Sequence, residues 1–340
     1  MTKRRLLGGT VGAGGSAAMA GLGVLFGIVF AVSLLTGRYP APGISSPLVL
    51  FETDAARQIF ANLRLPRVIT AAVLGASLAA SGCTFQMLFR NPLVEPGFLG
   101  VTQGAAFGAA GAILFLPNVP GAVQISAVVF ATVGLFLSYG VARRLRFGGW
   151  VIRMVISGIA VSALFASGLG ILKYVADPLS ELQEMTFWML GGLAGTTWAT
   201  TMMMLPLVVP SLLILFLLRW RLNILSLDDL TAHSLGTSPA RERMLLLLAA
   251  SAATAGVTAA AGIVGWVGLL VPHVARRYFG VEGNRALPSS LLLGAVMVLI
   301  CDTIARSLFV YEIPLGILTS LLGASLFLSL LSSGQVRFRR

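Results

Sequence analysis

The side chains that could do chemistry in this chain are few, and their spacing selects charge recognition over catalysis. Its 340 residues include two histidines, His233 and His273, two cysteines, Cys83 and Cys301, and 12 acidic residues. The cysteines lie far apart in apolar runs, so neither a disulfide framework nor a zinc site is implied. Two histidines cannot build a His-based metal cluster within one chain. His273, after Pro272, reads as a satisfied buried imidazole in preference to a haem ligand. The only lysines are Lys3 and Lys173, and neither ends a G-x-x-x-x-G-K-[ST] loop, so the chain is not a P-loop ATPase. The glycine-rich stretch from Gly8 to Gly15 precedes an apolar segment and follows no strand, which excludes a dinucleotide fingerprint. No Ser-His-Asp or HExxH pattern stands out. What remains are charges where charge is expensive. Asp302 and Arg306 stand four apart, neighbours on one helix face. Each alone would cost roughly 2.5–3.5 kcal/mol at a bilayer centre, so an ion pair that lets the helix insert is expected. Arg64 and Arg67 flank Pro66 at the start of an apolar segment, where they could snorkel as anchors. Asp228 and Asp229 interrupt a leucine-rich stretch, LSLDDLTAHSLG, at 225–236.

The elements that must hold these groups are membrane spans. The chain is 57% hydrophobic and 11% charged, against about 25% charged in soluble domains. That excludes a soluble enzyme, a disordered chain and a disulfide scaffold, and it predicts an all-α polytopic membrane protein in a single domain, 1–340. About 20 apolar residues cross the hydrocarbon core. Ten spans are read at roughly 12–36, 66–88, 97–116, 121–142, 152–174, 187–218, 244–264, 266–280, 287–308 and 314–333. The eighth is short. The sixth is broken by Gly191, Gly192, Pro206 and Pro210, so part of it is expected to kink or lie along the surface. The first follows Lys3, Arg4 and Arg5 but is too long for a signal h-region and lacks an A-x-A site, so it is read as uncleaved.

Ten spans put both termini on one side, taken as cytoplasmic. The net charge of +12 then resolves into 18 inner and 6 outer basic residues, as the positive-inside rule requires, and nucleic-acid binding is not needed to explain it. Gly100, Gly104 and Gly108 repeat on one helix face, as do Gly158, Ser162, Ala166 and Gly170. Small residues at this spacing let helices approach closely, either as internal packing or as a pathway wall or dimer seam. The cytoplasmic segment 222–243 contains Leu225, Leu227, Leu230 and Leu235 in an amphipathic helical pattern. Its acidic face would be repelled by anionic headgroups, which points to a protein partner in place of a lipid surface. Asp302 is read as the one acid deep in a span, which argues against an ion-gradient-driven secondary carrier built on a carboxylate relay.

Three blocks resemble the FecCD-type permeases, transmembrane subunits of ABC importers for iron-siderophores, haem and vitamin B12. They are LRLPRVITAAVLGASLAASGCTFQMLFRNPLVEPGFLGVTQGAAFGAA (63–110), GIVGWVGLLVPHVARRYFG (262–280) and GAVMVLICDTIARSLFVYEIPLGILTSLLGASLFLSLL (294–331). Trp266 stands where the family has Phe, Ser325 where it has proline, and Gln103 where it has a small residue. The resemblance implies a type II importer permease of about ten helices, a homodimer with the pathway on its axis, in the inner (cytoplasmic) membrane. Two cytoplasmic ATPases carrying ATP and Mg would bind below, and one periplasmic or lipoprotein binding protein above. This chain itself would hold no cofactor, metal or catalytic group. Leu225, Leu227, Asp228, Asp229, Ala232, His233, Leu235 and Gly236 would form the coupling surface in the ATPase cleft. Arg64, Arg67 and Arg306 would dock the binding protein by pairing with its glutamates. Glu312 could cap the last span or join that contact, and Asn91 and Glu95 are expected to cap the helix after them. The cargo implied is an iron complex, siderophore or haem, with cobalamin as the alternative; TFWMLGGLAGTTW (186–198) resembles segments of both haem and cobalamin permeases.

Overall fold

A computed structural model describes residues 13–39, 43–46, 53–117, 119–309 and 311–332. Lys3, Arg4, Arg5, Arg337, Arg339 and Arg340 lie outside them. The described residues are helical apart from loops and one antiparallel pair, Thr36–Gly37 with Gly43–Ile44. The helices are α1 (Ala13–Leu35), α2 (Asp54–Leu88), α3 (Val101–Phe115), α4 (Ala122–Arg144), α5 (Trp150–Val175), α6 (Glu181–Leu190), α7 (Trp198–Leu217), α8 (Arg221–Leu225), α9 (Asp229–Ser234), α10 (Pro239–Ala261), α11 (Val267–Phe279), α12 (Gly283–Ser307) and α13 (Leu315–Ser332). By length and composition α1, α2, α4, α5, α7, α10 and α12 can each cross a membrane. With the shorter α3, α11 and α13 they occupy the ten predicted spans, and the protein is a multi-pass membrane protein.

The sixth span differs from its expectation. Its break falls at Gly191, where φ is +66°, and the chain loops to Thr197 before α7 begins. Pro206 and Pro210 do not interrupt α7. A proline removes one donor and crowds one carbonyl, which neighbouring groups in a bundle can absorb; a left-handed glycine ends a helix outright.

The axis of the bundle is α2, which packs on α10, α11 and α12. Its middle, Gly75 to Gly82, is all buried and small in every position but Leu78. A Cβ at Gly75 would lie 2.1 Å from the Gly294 carbonyl oxygen, and one at Gly82 would lie 1.9 Å from that of Gly268. The helices touch backbone to backbone, the close approach that small residues permit in lipid. The stripe on α3 does the same against α4. Cβ atoms at Gly104 and Gly108 would meet the Phe130 and Ser126 carbonyls, both at 2.4 Å. Gly100 packs against Val161 and Gly134. Ser126 and Ser138 donate across the same contact, to Gly108 O at 2.7 Å and Leu99 O at 2.8 Å. On α5 the stripe splits. Gly158 packs on Phe98, Ser162 lines an internal cavity, and Ala166 and Gly170 are exposed with open space beside Gly170.

The departures at Trp266 and Ser325 leave α11 and α13 intact. Trp266 adopts φ +69° ahead of α11 and packs its ring 6.0 Å from Phe327 on α13. Ser325 donates to Leu321 O at 2.7 Å, and α13 continues to Ser332.

Candidate partner-binding surfaces at the two ends of the bundle

At one end, Arg64, Arg67 and Arg306 converge. All three line one cavity of about 490 Å³, with Arg38, Tyr39, Thr196, Thr197 and Glu312. The structure spends much of their hydrogen-bonding capacity internally. Arg67 pairs with Asp302 at 2.9 Å and with Glu312 at 2.8 Å. Asp302 is 1% exposed and also lies 3.3 Å from Arg306 on the next helical turn. The expected Asp302–Arg306 pair is therefore present as a close contact of charges, but its two facing atoms lack hydrogen-bond alignment. Arg306 donates to Thr36 O at 2.7 Å and to Ser33 O. Arg64 donates to Leu35 O at 3.3 Å and to Tyr39 O at 2.6 Å. The last carbonyls of a helix have no partner within it and favour a cation, so Arg64 and Arg306 act as the C-terminal cap of α1. Glu312 caps no helix here; it is the outer partner of Arg67. The two Arg67 pairs join residues 235 and 245 positions apart, and no local pattern in the sequence signals them.

At the opposite end, the leucine-rich segment folds as two short helices, not as one amphipathic face. Asp228 is the reason. Its side chain accepts the Thr231 amide at 3.0 Å and the Thr231 hydroxyl at 2.8 Å, and it starts α9 as an N-cap. Leu225 and Ala232 turn inward and are fully buried, whereas Leu227, Leu230 and Leu235 are 40%, 85% and 57% exposed. His233 is exposed, and Gly236, at φ +78°, ends the helix. Asp229 pairs with Arg243 at 2.6 Å, anchoring α9 to α10, and Arg90 donates to Leu227 O from the loop after α2. The segment thus presents exposed leucines on a frame held by charge.

The Asp228 cap has a pH signature. The two bonds from Thr231, the backbone one foremost, hold its carboxyl below the usual carboxylate range. A group with a lowered folded pKa stabilises fully above its unfolded value and stops doing so as the pH falls through the folded one. Amide exchange at Thr231 is expected to stay slow at a pH where an ordinary aspartate is half protonated, and to quicken at once in Asp228→Ala. Equal exchange in the two proteins would remove the cap.

The loop between α2 and α3 departs from expectation. Asn91 accepts the Leu93 amide at 2.9 Å, a local turn rather than a helix cap. Glu95 precedes the short 3-10 turn Pro96–Leu99 but does not cap it with its side chain. Its Oε1 instead accepts the Trp266 amide at 3.0 Å, across to the start of α11. Among the described residues Asp302 is the one fully buried acid; Glu95 is partly buried, placed there by a loop that folds back between helices and that no local pattern signals.

Comparison with known proteins gives a consistent picture. Residues 23–333 match the FecCD transport family. A probable iron chelatin transport system permease protein of Helicobacter pylori is 38% identical over 280 residues, covering 82% of this chain and 84% of that protein. The molybdate import system permease protein MolB of Haemophilus influenzae is 37% identical over 318 residues, covering 90% and 93%. Among solved structures, a metal-chelate type ABC transporter in an inward-facing conformation superposes with TM-score 0.87 at 35% identity, covering 94% of this chain and 99% of that one.

Proposed function

The chain belongs to the FecCD transport family, and from that membership we propose that it is the permease subunit of an ABC importer that moves an iron complex, siderophore or haem, inward across the cytoplasmic membrane. The observation that carries the reading is the exposed trio Leu227, Leu230 and Leu235 on a charge-anchored frame, in a chain with no ATP-binding loop of its own. Such a surface suits the cleft of a separate ATPase. The arginine-lined cavity at the other end suits a binding protein with acidic lobes: Arg38, Arg64, Arg67 and Arg306 outnumber Asp302 and Glu312 there. Both termini then lie on the ATPase side. The exposed small residues Ala163, Ala166, Ser167 and Gly170 of α5 offer a second copy a seam for close approach, with the pathway between the copies. ATP binding closes the ATPase pair, the 225–236 segments move with it, and the pathway changes the side to which it opens.

Two experiments test this. In proteoliposomes holding the permease, its ATPase and its loaded binding protein, Leu230→Asp with Leu235→Asp is expected to lower binding-protein-stimulated ATP hydrolysis at least about tenfold, since a charge in a hydrophobic contact is strongly disfavoured. Both side chains are exposed, so the protein stays folded; full stimulation would sink the coupling assignment. For the cargo, the relative named for molybdate widens the field. Uptake is measured in separate arms with ferric siderophore, haemin, cobalamin and molybdate. ATP-dependent uptake confined to an iron arm supports the reading, uptake in the cobalamin or molybdate arm replaces the cargo, and uptake that ignores ATP but collapses with the proton gradient replaces the mechanism.

A further inference from the structure

A second cavity, of about 260 Å³, lies among the helices, away from both ends and partly open to the surface. Glu95, Thr102, Gln103, Ser162, Thr254 and Thr258 supply its polar lining, between Leu78 of α2 and Gly268 of α11. Leu78 stands ten positions before the end of α2 at Leu88. Ten residues are about 15 Å of helix, half of a hydrocarbon core about 30 Å thick. The cavity is therefore at membrane depth.

Much of its polar capacity is unspent, although the Thr254 hydroxyl donates to Ala250 O at 2.9 Å. The described ion pairs of the protein leave Glu95 without a basic partner. Oε1 takes the Trp266 amide, and among the described residues no donor meets Oε2. The side chains of Thr102, Gln103, Ser162 and Thr258 make no hydrogen bond among the described residues either. Gln103 lines the same cavity and is only partly buried. It adds an amide oxygen to a site that would otherwise offer one carboxylate and hydroxyls. A carboxylate at this depth is costly without a positive partner, and here the lining hydroxyls and the Gln103 amide can each turn an oxygen toward it.

We infer that this cavity binds a small monovalent cation, with Glu95 as the charged ligand and Gln103 and the hydroxyls as neutral oxygen ligands. The volume suits an ion with a few waters and is below that of pockets for drug-sized ligands, about 300–1,000 Å³, so a bulky chelate does not enter whole. The positive charge has two sources, an alkali ion from the medium or an ammonium-type group on the cargo. The alkali-ion source is independent of the transport reading and is tested on the permease alone, whereas the cargo source rests on that reading.

The test uses the full-length permease in nanodiscs and dicyclohexylcarbodiimide, which modifies carboxyl groups in apolar surroundings. Label at Glu95 is read by mass spectrometry in sodium or potassium chloride against the same concentration of N-methylglucamine chloride, a cation too large for the cavity. The expected result is labelling suppressed by sodium or potassium, with the protective concentration raised about tenfold in Gln103→Ala. A parallel arm follows the melting temperature. The small cations should raise it in the wild type but not in Glu95→Gln, which keeps the acceptor for Trp266. Protection by a cargo-loaded binding protein in the assembled complex, but by neither small cation, assigns the site to the cargo and overturns the alkali-ion source. Labelling or melting that no cation alters, or no labelling at Glu95 at all, overturns the inference and leaves a water-filled cavity.

Discussion

Replacing Asp302 by alanine is expected to destabilise the permease by about 3–5 kcal/mol, the cost of removing one partner from a buried ion pair. Asp302 is 1% exposed and stands between Arg67 at 2.9 Å and Arg306 at 3.3 Å. Without it Arg67 keeps Glu312, but Arg306 retains only the Ser33 and Thr36 oxygens, which carry no full charge. Asp302→Asn is expected to do nearly as much damage, because charge is what the site lacks, not volume. Glu312→Gln is the contrast. That side chain is 41% exposed, so its pair with Arg67 is worth at most about 1 kcal/mol. The double change Asp302→Leu with Arg306→Met should recover a large part of the loss, since an apolar replacement of both charges removes the desolvation penalty of each. Denaturant unfolding in detergent measures all four. Wild-type stability in Asp302→Ala, or no recovery in the double variant, would show that the cluster is not an electrostatic unit.

The second large effect is steric. Gly75→Val and Gly82→Val should each cost about 3 kcal/mol or prevent folding, at or beyond the upper end of ordinary overpacking. Ordinary overpacking pushes on side chains that can change rotamer. Here the new Cβ would meet backbone carbonyl oxygens at 2.1 Å and 1.9 Å, and a carbonyl can move only with its helix. Separating α2 from α11 or α12 would open the contact that the bundle is built around. Gly170→Ala is the control. Nothing lies within 4 Å of a Cβ there, and alanine is better in a helix than glycine by about 1 kcal/mol, so the fold should hold or gain. The readout is the fraction of protein that elutes as a single species after mild heating. If Gly170→Ala keeps the fold but weakens self-association, the open face of α5 is an interface between copies. If Gly75→Val elutes and melts like the wild type, the backbone contact is not what joins these helices.

The sequence by itself determined the class of the protein and its order of spans, because transfer to a membrane depends on the apolar content of each segment and not on its neighbours. It marked the Asp302–Arg306 pair, since residues four apart on a helix meet wherever the helix sits. It also marked the small-residue stripes, and it reached the family through blocks covering most of the chain. Tertiary structure decided what each of those features is for. The stripe of Gly100, Gly104 and Gly108 became a contact with α4, while that of Ser162, Ala166 and Gly170 divided between a cavity and an open face. The same four-residue spacing serves either end, and only the neighbour distinguishes them. Arg67 joined Asp302, Arg64 and Arg306 closed the end of α1, and Glu95 reached Trp266. Each of these is a long-range pairing of charges or dipoles. Burial makes such pairings obligatory, because in a low-dielectric interior every charge must find a partner. Which partner it finds depends on the folding of the whole chain, and a linear pattern of residues carries no record of it.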